Sequence, residues 1–144
     1  PMDADSIPTG EIRDVTETAF DFRQMKAIGR DINCADAQIE LANGGYDHNL
    51  CIDPDTQGAF ATAYDPESGR VMEVTTDMPG VQLYTGNFLN NIPGKGGTLM
   101  NKHAGFCLET QFYPDSPNRP NFPPCIFKAG ETFRSRTSFK FSVK

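Results

Sequence analysis

Phe133-Arg134-Ser135-Arg136-Thr137-Ser138-Phe139-Lys140-Phe141-Ser142-Val143, near the end of a 144-residue chain, alternates with a period of two. Phe133, Ser135, Thr137, Phe139, Phe141 and Val143 make one mainly apolar face, and Arg134, Arg136, Ser138, Lys140 and Ser142 make the other. Successive side chains of an extended strand point to opposite sides, so this spacing predicts a long, half-buried β-strand. Upstream, residues 125–128 and the turn Ala129-Gly130-Glu131 predict a hairpin. Residues 59–64 and 70–75 flank Asp65-Pro66-Glu67-Ser68-Gly69, a turn sequence that predicts a second antiparallel pair. Residues 49–53, 81–85 and 105–110 are further strand candidates bounded by loop residues, whereas helical periodicity is scarce. The expected fold is all-β, an antiparallel β-sandwich without an internal repeat or domain boundary. Residues 90–97 and 113–124, the second with five prolines, read as long loops.

Composition narrows the function. Lys and Arg total 13 against 19 Asp and Glu, a net charge of −6. That balance argues against a nucleic-acid partner, because phosphate contacts need clustered cations. No run approaches the ~20 apolar residues that span a bilayer, and the first ten residues lack the basic and apolar regions of a signal peptide. A cytoplasmic protein with no membrane partner is the expectation. Cys34, Cys51, Cys107 and Cys125 are far apart in sequence, unlike zinc ligands. Cys51 and Cys107 sit in apolar strand-like runs and read as small buried hydrophobes, with disulfides as the alternative.

Few residues carry chemistry on local sequence alone. Glu109 lies in Gly105-Phe106-Cys107-Leu108-Glu109-Thr110-Gln111. A carboxylate in such a strand either points to solvent on an open face or stands in a concave site, where desolvation suits it to general-base work. Alternation does not decide between them, because two polar residues follow. Asp47, in Gly44-Gly45-Tyr46-Asp47-His48-Asn49, has the context of a cap or Asx-turn. His48 and His103 lack metal-ligand spacing and read as structural histidines. Nothing here is a nucleophile elbow, phosphate loop or dinucleotide fingerprint.

Taken together, several segments resemble the aldose 1-epimerase (galactose mutarotase) family. They are Ile7-Pro8-Thr9-Gly10-Glu11, Phe20-Asp21-Phe22-Arg23, Gly44 to Asn49 as quoted, Pro79-Gly80-Val81-Gln82-Leu83-Tyr84-Thr85-Gly86-Asn87-Phe88 and Lys102-His103-Ala104-Gly105 leading into the Glu109 run. Phe122-Pro123-Pro124, Gly130-Glu131 and Phe139-Lys140-Phe141 continue the match in the family's order. The resemblance implies a galactose mutarotase-like β-supersandwich whose concave face holds a monosaccharide. It implies interconversion of the α and β anomers of free aldoses such as galactose and glucose, with no metal or organic cofactor. By the same resemblance Glu109 is the catalytic base, and Asp47 and Gln82 hydrogen-bond the sugar.

One part of the family pattern has no counterpart. The family's general acid is a histidine in an Asn-His-x-Tyr-Phe-Asn-like segment, and neither His48 nor His103 matches it. The expectation is therefore that residues 1–144 form the C-terminal part of a single epimerase-like domain. An N-terminal polypeptide would complete the sandwich as its partner. The alternative is a non-catalytic carbohydrate-binding or structural subunit derived from a mutarotase.

Overall fold

A computed structural model describes all of residues 1–144. The chain is almost entirely strand and loop, as the period-two pattern predicted. Eight strands form: β1 Asp47–Cys51, β2 Ala61–Tyr64, β3 Arg70–Thr76, β4 Gly80–Tyr84, β5 Ile92–Pro93, β6 Leu99–Met100, β7 Cys107–Gln111 and β8 Thr137–Val143. The single α-helix, α1, is the five-residue Ala37–Leu41. No helix is long and apolar enough to cross a membrane. Strands β1, β4 and β7 hydrogen-bond in that order, β2, β3 and β8 make a second sheet, and β5 pairs with β6. The chain packs as two compact units, residues 1–49 with 82–109 and residues 50–81 with 110–144.

The first unit is organised around Tyr46, which is fully buried. Phe20 and Phe22 meet its ring edge-on, at centroid distances of 5.5 and 5.3 Å. Its hydroxyl donates to the Ala19 carbonyl at 3.0 Å, so the buried oxygen is satisfied. Ile39 from α1 fills the same core with Ile32 and Ala42. Five residues are too few to hold a helix unaided. Asp36 caps α1 by accepting from the Gln38 amide at 2.8 Å, and Ile39 packs it from below. Beyond the helix, the buried Asn87 amide donates to the carbonyls of Ala42 and Tyr46 at 2.7 and 2.9 Å. It also accepts from the Thr85 hydroxyl at 2.6 Å. A Cβ on Gly45 would lie 2.0 Å from the Asn87 side-chain oxygen, which explains the glycine there.

The second unit holds the β2-β3-β8 sheet. Ala61 faces Val74 and Tyr64 faces Val71 across β2 and β3, antiparallel as the turn sequence predicted. Asp65 ties that turn by accepting from the Glu67 amide at 3.2 Å and from the Ser68 hydroxyl. Gly69, at φ +72°, closes it. On the other side β8 pairs with β3, from Arg70 against Val143 to Thr76 against Thr137.

Five readings from the sequence need correction. The C-terminal strand starts at Thr137 and not at Phe133, because Phe133 leaves the alternation to join Phe112 and Phe127 in an aromatic cluster. Arg136 is meanwhile held outside the strand by its amide donating to Asp77 at 2.9 Å. That strand is not half-buried either: Phe141 and Val143 are each 73% exposed. Residues 125–128 form no strand; Phe127 packs on Phe112, and the Lys128 amide donates to Glu131 at 2.7 Å to make a local turn. The 90–97 loop contains half of the small β5–β6 hairpin, with Ile92 opposite Met100. Finally, all four cysteines are free, and Cys51 and Cys107 are exposed rather than buried.

Candidate functional site

Asp47 opens β1 and Gln82 lies in β4, the strand beside it. Alternation sorts the faces. Val81 and Leu83 of β4 and His48 of β1 are buried, whereas Asp47, Asn49, Gln82 and Tyr84 are half-buried on the opposite side. The Gln82 side-chain amide donates to the Asp47 carboxylate at 2.9 Å, so these two expected sugar-binding residues are brought together. Each positions the other, which fixes rotamers that a free surface pair would sample.

Glu109 lies in β7, on the other side of β4. Leu108 is half-buried while Cys107 and Glu109 are exposed, which puts the latter two on one face. Within residues 1–144 Glu109 is exposed on its strand. Strands two apart in a sheet are about 10 Å apart, so carboxylates on β1 and β7 can straddle a ring the size of a hexose.

The loops behind this face are built from the motif residues. His103, at φ +63°, donates from Nε2 to the Gly44 carbonyl at 2.9 Å. It thereby holds the Gly44-Gly45 approach to Asp47 against the segment leading into β7. His48 supports Asp47 from below: its Nδ1 accepts the Asp47 amide at 3.2 Å, so the proton sits on Nε2, facing the Gln38 side-chain oxygen at 3.2 Å. Gln38 in turn donates to the Met2 carbonyl at 3.0 Å and accepts from the Met2 amide at 2.7 Å. Burial pushes the His48 pKa down to about 4, and the Phe20 ring, its centroid 4.7 Å from that of the imidazole, is part of that apolar setting. His48 is therefore a neutral structural histidine. No group of three or more His, Cys, Asp or Glu side chains is placed to hold a metal ion.

Sequence reasoning missed Cys107. Partial desolvation, followed by the charge of Glu109, raises its thiol pKa. The signal was present in the two-residue spacing to Glu109, which places both on one strand face. The apolar neighbours Phe106 and Leu108 masked it.

These side chains are carried on the strands of an antiparallel all-β fold. The family model for aldose 1-epimerase matches residues 1–140, and the chain belongs to that family. It is 47% identical over 145 residues to the galactose mutarotase of Bos taurus, covering 99% of this chain and 41% of that protein. The aldose 1-epimerase of Escherichia coli is 33% identical over 98% of the chain and again 41% of its own length. Among solved structures, an aldose epimerase homologue from C. elegans superposes with a TM-score of 0.85 at 29% identity, over 99% of this chain and 42% of its own. Galactose 1-epimerase from Lactobacillus acidophilus gives 0.75 at 27%, over 99% and 40%. The chain thus spans about two fifths of the length of the relatives it matches.

Proposed function

We propose that these residues form the base-bearing part of an aldose 1-epimerase that interconverts the α and β anomers of free aldoses such as galactose and glucose. The observation that carries the reading is the Asp47–Gln82 hydrogen bond at 2.9 Å between the neighbouring strands β1 and β4, with Glu109 on β7, the strand on the other side of β4. Family membership across residues 1–140 and relatives named galactose mutarotase support it.

The chemistry follows from the residue types. Asp47 and Gln82 between them offer carboxylate acceptors and an amide with both donor and acceptor capacity, a set suited to sugar hydroxyls. Glu109 takes the proton from the anomeric hydroxyl as the C1–O5 bond breaks, and a general acid protonates the ring oxygen. Rotation about C1–C2 and reversal of the same transfers give the other anomer. No hydride or group leaves the substrate, so two positioned acid–base groups are sufficient. The acid comes from outside these residues, from an N-terminal polypeptide that also covers and desolvates the exposed Glu109 face. Polarimetry of freshly dissolved α-galactose tests this. Acceleration over buffer by this chain together with that polypeptide, and not by this chain alone, is the expected result; no acceleration by the folded combination contradicts it.

A second reading, a non-catalytic carbohydrate-binding or structural subunit, is favoured by one observation. Both histidines are engaged elsewhere, His48 beneath Asp47 and His103 on the Gly44 carbonyl, so neither is placed as the acid. It predicts galactose binding by calorimetry with no change in the rate of anomer exchange.

A further inference from the structure

We propose that Thr85 and Asn87 are positioning residues for Asp47, clamping the peptide that joins it to Tyr46 so that its carboxylate meets a sugar hydroxyl in one orientation. This rests on the epimerase reading above and deepens it by naming what holds a sugar-binding group in place. Thr85 and Asn87 follow directly after β4, and each is 2% exposed. The Tyr46 carbonyl accepts from the Asn87 side-chain amide at 2.9 Å and from the Thr85 backbone amide at 3.1 Å, which fills both of its lone pairs. The Tyr46 amide donates to the Thr85 hydroxyl oxygen at 2.9 Å, and that hydroxyl gives its own hydrogen to the Asn87 side-chain oxygen at 2.6 Å. At the other end of the clamped peptide the Asp47 amide donates to His48 Nδ1 at 3.2 Å. Beyond it the Asp47 carboxylate receives the Gln82 amide at 2.9 Å.

Core filling alone does not call for this arrangement. Asn87 uses both amide hydrogens, on the Ala42 and Tyr46 carbonyls, and its oxygen takes the Thr85 hydrogen, so no buried side-chain polar atom of the pair lacks a partner. An apolar pair of similar shape would fill the space, whereas a fully satisfied polar network specifies one geometry. The Tyr46–Asp47 peptide sets the direction in which the Asp47 side chain leaves β1, so a tilt there is carried out to the carboxylate. Groups that hold a ligand by hydrogen bonds must stay within about 0.5 Å of their productive positions. In the proposed reaction Asp47 binds the sugar and Glu109 moves the proton. Loosening the clamp therefore weakens sugar affinity and leaves turnover nearly unchanged.

The experiment measures galactose mutarotation over a range of concentrations, and galactose binding by calorimetry, with this chain and the proposed N-terminal polypeptide together. Thr85→Val keeps the shape of the side chain and removes its hydroxyl; KM and Kd should rise about tenfold while kcat stays within about twofold. Thr85→Ser restores the hydroxyl and should return both constants to the wild-type values. Asn43→Gly removes the side-chain amide that donates to the Asn87 carbonyl at 2.8 Å, and glycine accepts the φ of +60° found there. It should raise KM and Kd about threefold, and it decides the matter if Thr85→Val does not fold. Ile39→Val trims the core of the same unit without touching the clamped peptide and should leave both constants unmoved. Wild-type KM and Kd in the folded clamp variants overturn the proposal, as does failure of serine to restore them. Equal weakening by Ile39→Val overturns it too, by marking the effect as general loosening. If the folded wild type binds galactose without accelerating exchange, the epimerase reading fails and Kd alone decides the clamp. If it does neither, both readings fail.

Discussion

At the scale of single residues, the polar face depends on groups buried behind it. His48 is the clearest. In an unfolded chain its imidazole takes up a proton as the pH falls through about 6.5, whereas burial in the native protein delays this to about 4. Between those values the unfolded state binds more protons, so stability is complete above 6.5 and is lost as the pH falls toward 4, by at most about 3 kcal/mol. Urea unfolding at pH 7.5 and pH 5 should show this loss, and His48→Gln, which does not titrate, should remove most of that difference. Asp47 and Gln82 were singled out by their family motifs, but their mutual hydrogen bond was not legible, because it spans 35 residues of sequence. Cys107 was read as a buried hydrophobe since its neighbours are apolar. Its exposure follows from the strand's orientation, which no local pattern of polar residues settled.

Elements that close on themselves were readable, and those that depend on distant partners were not. The β2–β3 hairpin was legible because Asp65 and Gly69 carry the turn within their own five residues. The start of β8 was misplaced because Phe133 is drawn out of the alternation by Phe112 and Phe127, which lie well upstream or across a turn. The helix α1 gave too short a pattern to register, and depends on its Asp36 cap and on Ile39 packing. The connection after it is tightly constrained. Gly45→Ala would place a methyl 2.0 Å from the Asn87 side-chain oxygen and displace the amide that serves Ala42 and Tyr46. We expect a loss of about 2 kcal/mol in chemical unfolding. Gly130→Ala, in a turn with open space around it, supplies the comparison for a glycine restricted only by its φ of +91°. Its loss should be the smaller, about 1 kcal/mol.

For the molecule as a whole, the all-β class and the family were both legible, since the period-two runs and the motifs extend over nearly the full chain. The degree of exposure was not. Phe139, Phe141 and Val143 stand on one side of β8 and are 48%, 73% and 73% exposed. Contiguous apolar surface of this kind promotes association. Residues 1–144 produced alone should bind a hydrophobic dye and self-associate in sedimentation, and Phe141→Lys should weaken both; an unchanged monomer with no dye binding would contradict this. The central proposal concerns Glu109 and is tested most directly by polarimetry of α-galactose mutarotation with this chain and the proposed N-terminal polypeptide together, as wild type and as Glu109→Gln. The exposed position of Glu109 on β7 means that the substitution should leave folding intact. General-base removal should lower kcat/KM by about a hundredfold or more. Retention of most of the wild-type rate by the folded variant would show that Glu109 is not the base.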